Sequence, residues 1–131
     1  MVDWQKVATN LCNLANNNTI ELNDGQRASL KAVATRMPNN GIIIADEVGM
    51  GKTRIATTVT KAVIDAGGRV AILVPPGLGF QWGDELRKSH VEGVPEILRS
   101  LDAYLYAWSS ITRGKNPKPK DHAPWANYKT L

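Results

Sequence analysis

Residues 45–53, with the sequence ADEVGMGKT, combine the residue types that hold the phosphates of a nucleotide. Gly49 and Gly51 allow a tight backbone turn whose N–H groups point toward an anion, and a helix that follows adds its partial positive charge. Lys52 can reach the β- and γ-phosphates, and the Thr53 hydroxyl can ligate Mg²⁺. The segment therefore predicts a site for the phosphates of a nucleotide and for Mg²⁺, with Lys52 and Thr53 as its catalytic residues.

Two apolar runs rich in β-branched residues lie on either side of this loop in the sequence. GIIIA (41–45) precedes it, and RVAILV (69–74) follows a stretch, 53–66, with helical spacing of apolar residues. Continuous apolar runs are typical of strands buried on both faces of a parallel sheet. Strand, helix and strand predict a right-handed βαβ unit, with the loop in the crevice where such sheets bind ligands. The predicted fold class is therefore α/β.

Helical spacing also predicts three further helices. The first follows Asp3, a good N-cap residue, and stops in the asparagine run 16–18; the second covers about 26–37, with Asp24 as its possible cap. The third covers 95–111 and carries an aromatic stripe that is expected to pack in a core.

The loop departs from the general phosphate-binding pattern at Asp46, where that pattern has glycine. DEVGMGKT (46–53) closely resembles motif I of the superfamily 2 helicases, and specifically of the Swi/Snf-like DNA translocases. Upstream, LNDGQ (22–26) is similar to the family's Leu-x-x-x-Gln, whose glutamine reads the adenine edge. Downstream, ILVPPGLGFQWGDEL (72–86) looks like the motif Ia region, in which a Gln-Trp pair opens a helix. The resemblance covers roughly residues 22–88.

The resemblance implies a P-loop NTPase fold, here a partial RecA-like parallel sheet flanked by helices. It implies ATP and Mg²⁺ as cofactors, and double-stranded DNA and the remainder of a helicase core as partners. The metal would be held by Thr53. The resemblance places a DNA-phosphate contact at Pro76, Gly77 and Leu78. Because Gly77 stands where many members have Ser or Thr, that contact would come from the Gly77 or Leu78 backbone N–H or be absent. The nucleotide-binding residues that it implies are Gln26, Asp46, Glu47, Val48, Gly49, Met50, Gly51, Lys52, Thr53 and Arg54.

The predicted function is the ATP-binding portion of an ATP-dependent DNA helicase or translocase, in which hydrolysis drives movement along DNA. The family hydrolyses ATP with an Asp-Glu pair at the end of a second strand and an arginine finger from a second domain, and neither is evident in the chain. The pairs Asp46-Glu47 and Asp84-Glu85 are expected to be solvated or helix-start carboxylates. The chain alone is therefore predicted not to turn over ATP. Two functions stay open: the N-terminal piece of a longer motor enzyme, or a stand-alone, non-hydrolysing nucleotide-binding or regulatory module.

The expected organisation is an N-terminal helical segment (1–20), a partial helicase ATP-binding domain (21–112) and a basic, Pro-rich loop (113–131). The net charge of +4 resides in that loop, which has five basic residues and one acidic residue. Its interleaved Trp125 and Tyr128 fit either contact with a nucleic acid or a solvated surface loop.

No membrane or export signal is evident. The chain has no apolar run of about 20 residues, and its first residues, MVDWQKVATN, lack a basic region followed by an apolar core. The single Cys12 cannot form an internal disulfide and is expected to be a buried apolar residue. The cytoplasm is the expected compartment. A motif I sequence with valine at the position of Val48 is associated with bacterial members of the family, which favours a bacterial or phage origin.

Overall fold

The computed structural model describes residues 2–39, 41–45, 51–75, 77–94 and 97. The chain divides into two units, Met1–Pro95 and Glu96–Leu131. The described part of the first unit contains four helices: α1 (Trp4–Asn16), α2 (Asp24–Arg36), α3 (Lys52–Asp65) and α4 (Gly79–Lys88). The helix predicted for 95–111, apart from residue 97, and the basic loop 113–131 lie outside the described residues.

Helix α1 begins at the side-chain cap that the sequence predicts. The Asp3 carboxylate accepts hydrogen bonds from the backbone N–H groups of Gln5 (3.0 Å) and Lys6 (3.1 Å), two donors that have no partner within the helix. At the C-terminal end of α1, Arg27 Nη1 donates to the carbonyl oxygens of Ala15 and Asn17, both at 2.8 Å. Cys12, expected to be buried, is exposed on this helix.

Helix α2 is capped by Asn23 rather than by Asp24, so the predicted cap residue was wrong by one position. Asn23 Oδ1 accepts from the backbone N–H of Gln26 at 2.8 Å, and Gln26 Oε1 accepts from the N–H of Asn23 at 3.0 Å. This reciprocal pair is a capping box, which satisfies two donors at once. Asp24 instead adds a negative charge to the first turn, where the helix dipole favours one.

Helix α3 starts and ends at glycines with a left-handed backbone. Gly51 precedes it with φ 77°, and Gly67 follows it with φ 79°. At the C-terminal end, Gly68 N donates to Val63 O (2.9 Å) and Gly67 N donates to Ile64 O (2.8 Å), the two bonds of a Schellman motif. The helix predicted for 53–66 is thus confirmed, with ends at Lys52 and Asp65.

The core of the first unit is made by the inward faces of α1, α2 and α3. Side chains with little or no exposure come from each helix, among them Leu11 of α1, Leu30 of α2 and Ile55 of α3. Asn10 adds a polar contact, because its Nδ2 donates to the Ala62 carbonyl of α3 at 3.3 Å. Burying each large apolar side chain contributes about 1.5–3 kcal/mol, so this interface provides most of the stability of the helical body.

Helix α4 packs against α3 through polar as well as apolar atoms. The Thr57 and Ser89 hydroxyls are both fully buried and form a hydrogen bond of 2.7 Å with each other. This bond replaces the hydrogen bonds to water that the two hydroxyls lose on burial. Asp84 and Glu85 lie inside this helix, in ion pairs with Arg87 and Lys88, each at 2.9 Å. Of the helices in the described part of the chain, none is both long and apolar enough to span a bilayer.

The predicted partial RecA-like parallel sheet flanked by helices was wrong for the part of the chain that the structure describes. Residues 41–45 and 69–74, expected to be buried strands, have no regular secondary structure. Ile43 and Leu73, expected in the interior, are each 92% exposed, although Ile42 and Ile44 pack on the helical core. The described architecture is therefore all-helical and not an α/β P-loop fold.

The physical reason for this error is that a strand needs a second strand to complete its backbone hydrogen bonds. A helix closes its hydrogen bonds within one segment, whereas a strand exists only when a second segment supplies donors and acceptors. Two short apolar runs also cannot cover both faces of a sheet. The apolar interior is filled instead by three helices, and the two runs lie partly on the surface.

Candidate nucleotide-binding cleft

A cleft of about 750 Å³ opens beside the N-terminus of α3, a volume within the range of small-molecule sites. Among the described residues, three parts of the chain line it: the segment leading into α2 with the first turn of that helix, the first turn of α3, and one face of α4. Its lining among the described residues is Glu21, Asn23, Gln26, Gly51, Lys52, Thr53, Arg54, Gln81 and Glu85. Residues from both predicted ends of the ATP site, the adenine end and the phosphate end, thus line one cleft.

Gly51 is required by its backbone and by its surroundings. Its φ of 77° is strained for any residue with a Cβ, and a Cβ built at this position would collide with Gln26 Nε2. Gln26 lies on α2, and Gly51 begins the turn into α3. The close approach of the Gln26 amide to the Gly51 backbone is what joins the two halves of the cleft.

The first turn of α3 presents the partial positive end of a helix to the cleft. The carbonyl of Gly51 accepts from Arg54 N (3.0 Å) and Ile55 N (3.3 Å), which starts the helix, and no side chain of the described residues caps it. Lys52 and Thr53, both half-buried, stand at this end and line the cleft. Backbone N–H groups, the helix dipole and an ammonium group together favour an anion here.

Gln26 is oriented by its part in the capping box. Its carboxamide oxygen accepts from Asn23 N–H, which places Oε1 toward the α2 N-terminus and Nε2 toward Gly51. A carbonyl oxygen has two lone pairs, so Oε1 can accept a second hydrogen bond while Nε2 donates. A donor and an acceptor side by side are what the edge of an adenine base pairs with.

Arg54, also expected to bind nucleotide, has its guanidinium bonded to protein atoms. Its Nε donates to Glu85 Oε2 at 2.8 Å, and its Nη1 donates to the Glu21 carbonyl at 3.0 Å. The hydrogen bond from Arg54, followed by that from Lys88, lowers the pKa of Glu85 below its usual value. Glu85 is therefore a carboxylate at neutral pH, and it lies on the wall of the cleft.

The remaining predicted residues fall into two groups. Asp46, Glu47, Val48, Gly49, Met50 and Pro76 lie outside the described residues. Gly77 (φ 91°) and Leu78, the expected DNA contacts, are exposed just before α4 and do not line the cleft.

Four lining residues escaped the sequence analysis: Glu21, Asn23, Gln81 and Glu85. Asn23 had a detectable signal, because Asn followed three positions later by Gln is a capping-box pattern. The other three come together only through tertiary packing.

The oxygen donors of the cleft suit a metal that arrives with its nucleotide. In the residues that the structure describes, no three His, Cys, Asp or Glu side chains group together as a metal site. Mg²⁺ usually keeps several waters and takes one or two protein oxygens together with substrate phosphates. The Thr53 hydroxyl can supply one such oxygen at the phosphate end.

The chain was compared with protein families, curated proteins and solved structures. No protein-family model, curated protein or solved structure matches the chain.

Proposed function

We propose that this chain binds Mg²⁺-ATP in the cleft and is the ATP-binding portion of an ATP-dependent DNA helicase or translocase. The observation that carries the proposal is the close approach of Gln26 to Gly51, which brings the predicted adenine residue beside the predicted phosphate residues. The described part of the cleft is built from the first turns of α2 and α3, the segment before α2 and one face of α4, so the proposal does not rest on a sheet.

Each part of the cleft has a role in this proposal. The triphosphate lies at the α3 N-terminus, where Lys52 and the backbone N–H groups offset its charge. Thr53 holds Mg²⁺, which when bound neutralises phosphate oxygens. The Gln26 carboxamide pairs with the adenine edge, and its orientation is set in advance by Asn23. Such preorganisation favours affinity because little side-chain freedom is lost on binding.

The partners belong to the same proposal. The rest of a helicase core would supply the Asp-Glu strand and the arginine finger, and double-stranded DNA would be the track. Gly77 and Leu78 are exposed, as contact with a DNA backbone would require. We place the protein in the cytoplasm, in a bacterial or phage setting, on the grounds of the sequence.

One observation favours the second candidate, a nucleotide-binding or regulatory module that does not hydrolyse ATP. Asp84 and Glu85 lie within α4 and are engaged by Arg87, Lys88 and Arg54. Neither is therefore arranged to activate a water molecule. Phosphate release from Mg²⁺-ATP by the full-length protein, with and without duplex DNA, separates the two functions: DNA-stimulated release supports the motor, and saturable binding without release supports the module.

Binding itself is tested by titrating the 131-residue chain with Mg²⁺-ATP and measuring heat or fluorescence anisotropy of a labelled ATP analogue. Lys52→Ala should weaken binding tens-fold or more, since a charged hydrogen bond is worth roughly 1.5–3 kcal/mol. Lys61→Ala is the matched control, because Lys61 is on the same helix, pairs with Asp65 at 2.9 Å and does not line the cleft. Equal affinities for the Lys52 and Lys61 variants would refute the proposed function.

A further inference from the structure

Arg54 connects the three parts of the chain that form the cleft. It belongs to the first turn of α3, and its guanidinium bonds to Glu85 of α4 and to the Glu21 carbonyl in the segment before α2. Its side chain is 19% exposed and that of Glu85 is 16% exposed, so the pair is largely shielded from solvent. A planar guanidinium with several fixed donors can make such contacts in two directions, which a lysine ammonium cannot reproduce in the same geometry.

The pair also decides the charge of the cleft. Glu85 lines the same cleft as Lys52 and Thr53, where a bound triphosphate would bring several negative charges. An unpaired carboxylate at this position would repel those charges, since like charges that line one cleft repel each other. Arg54 and Lys88 offset the Glu85 charge through direct contacts of 2.8 and 2.9 Å.

We propose that Arg54 and Glu85 form a positioning pair, in which Arg54 holds α4 against the α3 N-terminus and neutralises Glu85, and does not itself bind phosphate. This inference rests on the proposed function, because it concerns how the same cleft accepts Mg²⁺-ATP. It differs from the sequence-based expectation, in which Arg54 was a nucleotide ligand. The two roles make opposite predictions for the removal of Glu85 from the Arg54→Ala variant.

A double-mutant cycle tests the pair with Mg²⁺-ATP as ligand and adenosine as an uncharged reference. Arg54→Ala should weaken Mg²⁺-ATP binding about tenfold, because Lys88, whose side chain is 61% exposed, then offsets the Glu85 charge without the help of Arg54. It should change adenosine binding less than about threefold, and the loss for ATP should shrink as salt screens the repulsion. Adding Glu85→Gln to Arg54→Ala should restore ATP affinity to within about threefold of wild type.

The opposite pattern overturns the inference. If Arg54 binds phosphate, Glu85→Gln alone releases it and tightens ATP binding, and the double variant stays as weak as Arg54→Ala. A purely structural role is excluded by Ser89→Ala, which removes the 2.7 Å contact between α4 and Thr57 without changing the charge of the cleft. Ser89→Ala should change the affinities for ATP and for adenosine by the same factor. If it weakens ATP binding more than adenosine binding, and by as much as Arg54→Ala does, the charge explanation fails.

Two further outcomes are informative. Should Arg54→Ala fail to fold, Arg54→Lys keeps the positive charge with a single contact, and we expect it to lose less than about threefold in ATP affinity; a tenfold loss would contradict the charge role. Lys52-dependent ATP binding combined with strictly additive Arg54 and Glu85 effects overturns this inference alone. Absence of Lys52-dependent binding overturns both this inference and the proposed function.

Discussion

Replacing Gly51 by alanine tests the contact on which the cleft depends. Two penalties are expected from the structure. The first is the left-handed backbone at φ 77°, which costs a residue with a Cβ roughly 1–2 kcal/mol. The second is the collision of the new Cβ with Gln26 Nε2, which is relieved only if the Gln26 side chain moves. That movement breaks its hydrogen bond to Asn23 N, about 0.5–1.5 kcal/mol.

Gly67→Ala is the control that isolates the second penalty. Gly67 has nearly the same backbone angle, φ 79°, and a Cβ there meets no atom within 4 Å. We expect Gly67→Ala to lower the free energy of unfolding by about 1–2 kcal/mol and Gly51→Ala by about 1.5–3.5 kcal/mol. The difference of about 0.5–1.5 kcal/mol is the contribution of the Gln26 contact.

The assay is urea denaturation followed by circular dichroism, with Gln26→Ala and the Gly51→Ala/Gln26→Ala double variant completing a cycle. Because Gln26→Ala removes the atoms that collide, the double variant should lose less stability than the sum of the two single losses. Equal losses for the two glycine variants, together with additivity in the cycle, would refute the reasoning. Gln26 would then not lie against Gly51, and the cleft would lose the observation that supports its adenine end.

Two further predictions concern stability. Ile55→Ala, at a site 1% exposed, should cost about 2–5 kcal/mol in the free energy of unfolding. Ile43→Ala, at a site 92% exposed, should change it by less than about 0.5 kcal/mol; equal losses in urea denaturation would mean that residues 41–45 are buried after all. The lowered pKa of Glu85 means that its contribution to stability is present above the unfolded value of about 4.3 and is lost as pH falls through the lower folded value. Glu85→Gln should therefore be less stable than wild type at pH 7, with a difference that narrows as the pH falls below the unfolded value of about 4.3; a constant difference would show that the Arg54 contact does not favour the ionised form.

The helices were predictable because the forces that define them are local. Asp3 lies where its carboxylate can accept from the next turn, and apolar residues recur at the spacing of one helical face. Gly67 and Gly68 follow α3 where a Schellman motif needs a left-handed residue. All of these signals connect residues within a few positions of one another. The error in the cap of α2, Asp24 in place of Asn23, left the helix itself unchanged.

The predicted strands failed for the opposite reason. The runs 41–45 and 69–74 have the composition of buried strands, but a strand needs a partner distant in sequence, and local composition cannot show whether one is supplied. In the described part of the chain, neither run forms a ladder, and Ile43 and Leu73 face outward. Composition predicted which residues are apolar, and tertiary packing decided which of them are covered.

For the candidate site too, some features follow from the sequence and others from the tertiary structure. The sequence by itself determined which candidate groups are present: glycine, lysine and threonine at residues 51–53, and a glutamine upstream, are the groups that the proposed phosphate, metal and adenine contacts require. Only the tertiary structure decided that Gln26 meets Gly51 and that Arg54 is held by Glu85 and the Glu21 carbonyl. The type of a side chain limits which groups it can bind. Which of those groups lies within hydrogen-bonding distance depends on how α2, α3 and α4 pack, and this packing involves residues far apart in the sequence.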